Sequence, residues 1–448
     1  MKRENGYSSK FMVKFFTYTD TLQKKIFSQL GHNSLLKGVI ILGSGTAISQ
    51  ILGIIFVPII TRLYPPAIYG TLAVFSSLLS LLIVGGSMKY ELTIPIAEKD
   101  DEAEYLVILS FLIVATFSII LSLILAFGGN YLAGVFHFEF IEPYYWLFSL
   151  GFLGACTYKI LTYWTLRSKN YTQITKTKVT QSISGSVSKI IFGVLSFGSL
   201  GLICGDIIGR IVGIGSLGKI ILPRIWKSIH HLDIQKLRSL AFRYRKFPLY
   251  SMPTSIINET SLQIPTLFLS SIFGFQTVGL FALSSSILLL PISFVSTSIS
   301  QVYTAESSEL FRQKSDKSLA LFQKTSKKLL MFGGPVILMG ALISPIVFPI
   351  IFGSAWKEAG TFVLPMSIMV IGQFVVNSTD RLEMFGYNHW GLAWAIIRVV
   401  LVSCGFYFAF LVQLSPVATI LVFSLIMTMM YAILYILNIK AIKRYMQT

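Results

Sequence analysis

Six charged side chains stand inside long apolar stretches of this sequence: Lys159, Lys189, Asp206, Arg210, Glu259 and Arg398. A charge at the centre of a bilayer costs about 2.5–3.5 kcal/mol even on insertion scales, so each needs a partner or a task. Asp206 and Arg210 lie four residues apart on one helical face, the spacing of a self-neutralising ion pair. Lys189 and Arg398 have no acid within a turn of their own segment. Either they pair across helices or they face a wet cavity. The second reading makes Lys189, Arg398, Arg210 and Lys159 a cationic lining for an anionic ligand, although Lys159 lies off centre and can also snorkel outwards. Glu259 is the mid-segment acid with no charged partner on its own helix. With Asp206 it is a candidate carrier of H⁺ or Na⁺, or else it neutralises one of the cations. Ser49, Gln50 and Asn258 supply neutral polar groups at similar depth. At segment ends, Arg62, Glu91, Asp380 and Arg381 are placed for gate salt bridges.

No constellation for covalent chemistry accompanies these charges. The histidines His32, His137, His230, His231 and His389 fall in loops or at segment ends with no zinc spacing, and there is no Walker motif. Cys156, Cys204 and Cys404 are isolated within apolar blocks and read as packing residues. Neither an enzyme nor a bound cofactor is expected, only a coupling ion.

The elements that must carry these residues are membrane helices. Of 448 residues 54% are hydrophobic and only 12% charged, at a mean hydropathy of +0.72. That charged fraction is about half that of a soluble domain. The apolar residues form blocks near the ~20 residues that cross a bilayer as a helix, not the alternating segments of a barrel. Twelve spans are expected, at 38–61, 68–87, 104–127, 144–164, 178–198, 200–221, 248–271, 277–300, 328–352, 359–380, 390–412 and 416–438. Placing both termini on the cytoplasmic side puts 30 of the 37 Lys and Arg residues there, and leaves only Arg62 and Lys357 in the opposite loops. The net charge of +18 is therefore an orientation signal, and nucleic acid is not an expected partner. The division that follows is a basic tail 1–37, an N-lobe 38–222, a basic linker 223–247, a C-lobe 248–438 and a tail 439–448. In the first tail Phe11, Phe15, Leu22, Ile26 and Leu30 share a helical face among lysines, which suits an anionic lipid surface or a frayed end equally.

The two halves look duplicated. Tyr69-Gly70-Thr71-Leu72-Ala73-Val74-Phe75-Ser76-Ser77 matches Val278-Gly279-Leu280-Phe281-Ala282-Leu283-Ser284-Ser285-Ser286 at an offset of 209, which also sets Gln50 on Glu259 and Lys189 on Arg398. Six spans per half make this a parallel repeat, with two lobes facing each other across a central cavity. Spans 1 and 7 are rich in Gly, Pro, Ser and Thr and are expected to be interrupted and to line that cavity.

The stretch Thr61-Arg62-Leu63-Tyr64-Pro65-Pro66-Ala67-Ile68-Tyr69-Gly70 resembles the segment joining the first two helices of polysaccharide-biosynthesis flippases, the Wzx-type O-antigen translocases. Tyr90-Glu91 with the acidic run Glu98–Glu102, and the turn Phe352-Gly353-Ser354-Ala355-Trp356-Lys357-Glu358-Ala359-Gly360, are similar to the same family. The resemblance covers about residues 34–438. It implies an all-α fold of two six-helix lobes related to MATE exporters, in the bacterial inner membrane. It further implies that an undecaprenyl-pyrophosphate-linked oligosaccharide is flipped from the cytoplasmic to the periplasmic leaflet, beside membrane lipids and the polymerase and chain-length machinery. Arg and Lys suit the pyrophosphate oxygens. A MATE-like, ion-coupled exporter of small molecules is the alternative, and would favour acids in the cavity.

Overall fold

The computed structural model describes residues 34–136, 144–230, 233–312, 317–382 and 384–447. The amphipathic pattern of the first tail lies outside them. Among the described residues every regular element is helical. Spans 1 to 5 are Ser34–Leu63, Pro66–Gly85, Asp100–Phe136, Tyr145–Arg167 and Tyr171–Val194. Span 6 is two helices, Gly198–Ile211 and Ile214–His230, joined at Gly213, whose φ of 104° suits only glycine. Spans 7 and 8 together form Met252–Arg312, divided at Gly274 with φ 78°. Spans 9 to 12 are Lys317–Phe352, Lys357–Thr379, Asn388–Leu411 and Pro416–Gln447.

Nine helices among the described residues are long and apolar enough to cross a membrane, one of them covering both spans 7 and 8. Spans 4 and 5 are absent from that set. Their Thr, Ser and Lys residues, with Gln in span 5, lower their hydropathy; some hydroxyls bond back to their own helix, as Thr162 to Tyr158 O and Thr180 to Lys176 O, and others reach across. Thr175 Oγ1 donates to Ile41 O (2.9 Å), Lys178 Nζ to Thr46 Oγ1 (2.9 Å) and Ser182 Oγ to Ser49 O (2.7 Å), a polar seam between spans 5 and 1.

This seam corrects the expectation that span 1 is interrupted. Span 1 is continuous through Gly43, Gly45, Gly53 and Pro58, and span 7 through Pro265. The glycines admit a neighbour instead: a Cβ on Gly45 would lie 2.3 Å from Thr175 Cγ2. The breaks fall elsewhere, at Gly213 and Gly274.

Each half has its own core. Phe75, Leu79, Leu106, Phe148, Ile160 and Ile203 are buried in the first, and Leu283, Ala341, Met366, Phe406 and Ile420 in the second. The connection between halves is folded onto the first. Its helix Ile234–Arg243 buries Leu240 in the N-lobe core. It is fastened to the acidic start of span 3 by Lys236–Asp101 (2.5 Å), by Arg243 with Glu98, and by the Tyr90 hydroxyl, which donates to Ala241 O (2.9 Å). The Asp101 carboxylate holds Lys236 above the usual lysine range, and Glu98 raises Arg243 in the same way.

Candidate functional site

The lobes meet most closely at one end. Gly70 opens span 2 and Gly279 opens span 8. A Cβ on Gly70 would stand 1.8 Å from Phe275 O, and one on Gly279 would stand 1.9 Å from Pro66 O. Only glycine at both positions lets the two backbones touch. The repeat seen in the sequence is therefore the place where the halves cross. Beside it, Trp356 Nε1 donates to Thr61 O (2.8 Å), Arg62 Nη2 donates to Ile350 O (3.3 Å), and the Tyr69 and Trp356 rings meet edge to face with centroids 5.4 Å apart. Both longer segments that carry the family resemblance thus touch each other, and together they seal this end.

Beyond the seal the lobes part. A cavity of about 640 Å³ lies between span 1 and span 8. Leu42, Gly43, Ser44, Thr46, Ala47, Ile48 and Gln50 form one wall; Ser293, Phe294, Thr297 and Ser298 form the other. No acid lines it. Lys178 reaches its wall from span 5 through the hydrogen bond to Thr46, and no carboxylate pairs with it among the described residues.

The expected site residues divide among three places. Gln50 lines the cavity. Ser49 spends its hydroxyl on Thr46 O of its own helix (2.9 Å), and Asn258 is exposed away from the cavity lining. Span 8, not span 7, forms the second wall, which corrects the expectation from the Pro and Gly pattern.

Lys189, Asp206 and Arg210 form a triad within the N-lobe. Lys189 Nζ is 2.9 Å from Asp206 Oδ1 and Arg210 Nε is 2.7 Å from Oδ2, with Ser76 Oγ donating to Oδ2 at 3.4 Å. Of the two arrangements open to Lys189, the structure has the cross-helix pair. Arg398 has no such acid among the described residues. It is 8% exposed, its guanidinium lies 4.4 Å over the Trp394 ring, and its Nε makes no hydrogen bond. The offset that paired Lys189 with Arg398 does not hold. Lys189 is the nineteenth residue of span 5 and Arg398 the eleventh of span 11, because the intervening loops differ in length between the halves.

A second charged group sits at the end away from the seal. Glu91 is fully buried, 2.8 Å from Lys159 Nζ, and accepts from the Ser87 hydroxyl. Lys89 joins it on the turn Met88–Lys89, whose φ values of 50° and 65° place two non-glycine residues in the left-handed region. Burial, and then the ammonium of Lys159, push Lys89 below the usual lysine range, while Glu91 and Glu259 oppose the shift. Glu259 accepts from Gln263 Nε2 at 2.7 Å. Span 7 is close here, since a Cβ on Gly85 would lie 3.2 Å from Met252. Arg381 donates to Ser300 O (2.6 Å) and Ser300 Oγ (2.9 Å), and Asp380 accepts from Asn438 Nδ2 (2.8 Å). Of the four gate candidates, only Arg62 bonds across the lobes; Glu91, Asp380 and Arg381 each bond within their own.

Sequence reasoning missed Lys178, Lys89 and the Ser293–Thr297–Ser298 face of span 8. The Ser/Thr spacing at i, i+4 and i+5 was the available signal for that face.

Fold and cavity together define a multi-pass membrane protein of two helical lobes that hold a polar chamber between them, the build of a transporter. A family model described as "Polysaccharide biosynthesis protein" matches residues 59–361, and the chain belongs to that family. No curated protein matches the chain. Among solved structures the chain is similar to an inward-facing multidrug resistance MATE family transporter of the MOP superfamily, at 14% identity over 89% of this chain and 96% of that one, with a TM-score of 0.65. It is also similar to a MOP superfamily transporter from Pyrococcus furiosus at 14% identity, covering 92% and 97%, TM-score 0.57. The Vibrio cholerae MATE transporter VcmN is 15% identical over 96% and 100%, TM-score 0.54. These likenesses establish the MATE-like fold.

Proposed function

We propose that this protein flips an undecaprenyl-pyrophosphate-linked oligosaccharide, the repeat unit of O-antigen or another surface polysaccharide, from the cytoplasmic to the periplasmic leaflet of a bacterial inner membrane. Transport proceeds by alternating access and is driven by H⁺ or Na⁺. The observation that carries this reading is the interlobe cavity, whose described lining bears hydroxyls and an amide but no acid, with the ammonium of Lys178 hydrogen-bonded to its Thr46. Hydroxyls and amides suit sugars, and an ammonium suits a diphosphate. With both termini cytoplasmic, the seal at Gly70, Gly279, Thr61 and Trp356 is periplasmic and the cavity faces the cytoplasm, where the lipid-linked unit is made. Family membership in polysaccharide biosynthesis supports the same substrate class.

In this account Lys178 and Gln50 meet the head group. Arg398, unpaired in the C-lobe, is the remaining cavity-cation candidate from the sequence, while Lys189 and Arg210 act by holding Asp206. Asp206 and Glu259 are the groups proposed to respond to the coupling ion, each through the partners now around it. Two of the similar structures are of a multidrug resistance MATE family transporter, in inward-facing and outward-facing conformations. The absence of an acid from the cavity lining argues against a cationic drug as the substrate here.

The test is reconstitution. Vesicles carrying the purified protein and a fluorescent lipid-linked oligosaccharide in one leaflet are expected to expose it to an added glycosidase on the other side faster than protein-free vesicles. Equal rates, with accumulation of a small cationic dye instead, would replace this reading with the exporter.

A further inference from the structure

Span 8 separates two hollows of opposite character. Its Ser293, Thr297 and Ser298 face the polar cavity. The next face, Leu288, Pro291, Val295 and Ile299, forms one wall of an apolar groove of about 720 Å³ closed by Val336 and Gly340 of span 9. The groove is lined almost wholly by hydrocarbon, with Lys328 and Thr325 at the end of span 9 away from the seal. A third, smaller hollow of about 330 Å³, lined also by Val302, Tyr303 and the carboxylate-bearing Glu306, runs round that end of span 8. It shares Ser298 with the cavity, and Ile299 and Thr325 with the groove. Polar chamber, rim and apolar groove are therefore contiguous around one helix.

We propose that this groove holds the polyisoprenoid tail of the substrate while the sugar and diphosphate occupy the cavity, with the molecule bent round span 8 at Ser298 and Thr325. This rests on the flippase reading and adds to it a specific place for the hydrocarbon. The chemistry of the occupant follows from the three linings. An amphiphile has a hydroxyl-rich head, an anionic joint and a long apolar tail. The cavity matches the first, the ammonium of Lys328 at the groove mouth attracts the second, and the groove gives the third an apolar wall along its length. A flat lipid-facing surface would offer ordinary acyl chains a place, but not a passage shared with the head-group chamber.

Two positions allow the groove to be filled without disturbing the helices. Gly340 lines it, and an added Cβ meets nothing within 4 Å. Val336 also lines it and is 69% exposed. Binding of a diphosphate-linked sugar carrying either a long polyprenyl or a short prenyl tail would be measured on the protein in nanodiscs, for wild type, Gly340→Leu and Val336→Trp. The groove predicts tighter wild-type binding of the long-tailed probe, loss of about tenfold or more of that affinity in both variants, and unchanged binding of the short-tailed probe. Retained short-tail affinity also reports that the variants fold. A long-tailed probe bearing a diazirine near the tail's phosphate end should label peptides 287–300 and 328–340 of the wild type, and excess unlabelled polyprenyl diphosphate should compete. Variants that bind the long tail as wild type does, or uncompeted labelling spread over the lipid-facing surface, overturn the groove: it then holds ordinary bilayer lipid. Wild-type protein that binds neither probe overturns the flippase reading with it.

Discussion

At the scale of single residues, the account turns on which charges are spent and which are free. Asp206 is shared by two cations, so Asp206→Asn leaves Lys189 and Arg210 inside the lobe without their counter-charge. Breaking such a pair costs about 3–5 kcal/mol when buried, less here because all three groups keep some exposure. The expected result is a clear fall in the melting temperature of the detergent-purified protein, partly restored in Asp206→Asn/Lys189→Met. An unchanged melting temperature would show that the triad adds little to stability, and lost transport alone would then assign the Asp206 carboxylate to ion coupling. Lys178 is the opposite case. Lys178→Gln is expected to lower flipping about tenfold to a hundredfold, the worth of one charge-assisted contact, with normal expression, and Lys178→Arg to recover most of it. Equal flipping by Lys178→Gln and wild type would remove the ammonium from the site. The sequence made the mid-span charges conspicuous, and Lys189, Asp206, Arg210 and Arg398 were all found from it. It hid Lys178, which the expected span 178–198 set at the very end of its helix, whereas the helix starts at Tyr171, seven residues before it. Partners across helices are likewise invisible in one chain: nothing in the sequence joins Lys159 to Glu91.

At the scale of elements, ten of the twelve expected spans stand among the described residues as long apolar helices, and spans 4 and 5, too polar for that measure, are helices as well. Where spans break was not legible. Glycine signals both a kink and a close approach, and in span 1 the glycines serve packing against span 5, while Gly213 and Gly274 serve as breaks. The glycines that matter most are Gly70 and Gly279. Gly70→Val or Gly279→Val forces the spans apart at the seal. With the native cysteines replaced, a cysteine at Gln50 should then react faster with a membrane-impermeant thiol reagent added from the periplasmic side. No change in rate would mean that the seal does not depend on this backbone contact. The surface helix Ile234–Arg243 is a milder device. Lys236 and Asp101 are both partly exposed, so Asp101→Asn is expected to shift stability by under about 1 kcal/mol. Because Asp101 raises Lys236 and Lys236 lowers Asp101 in the folded protein, that contribution is present at neutral pH and is lost as pH climbs through the raised lysine value or falls through the lowered aspartate value. Thermal melts of the variant and the wild type at pH 7 and above pH 11 check both statements.

At the scale of the whole molecule, the internal repeat gave two lobes before any coordinates, and the seal stands where the repeat is most nearly exact. The repeat failed as a guide to function deeper in the lobes, where Lys189 and Arg398 sit at different levels and in unlike surroundings. The lobes share a scaffold and have diverged in charge: the N-lobe holds a neutralised triad, the C-lobe a lone guanidinium over Trp394. A chamber between such lobes, sealed at one end, is the form alternating access requires, and a substrate with an anionic, sugar-bearing head fits its lining. The most direct test is the sidedness of lipid-linked oligosaccharide in cells lacking this protein. The account predicts that the glycan-lipid accumulates facing the cytoplasm and that wild-type protein, but not Lys178→Gln, returns it to the periplasmic leaflet. Unchanged sidedness, with heightened sensitivity to small toxic compounds, would contradict it.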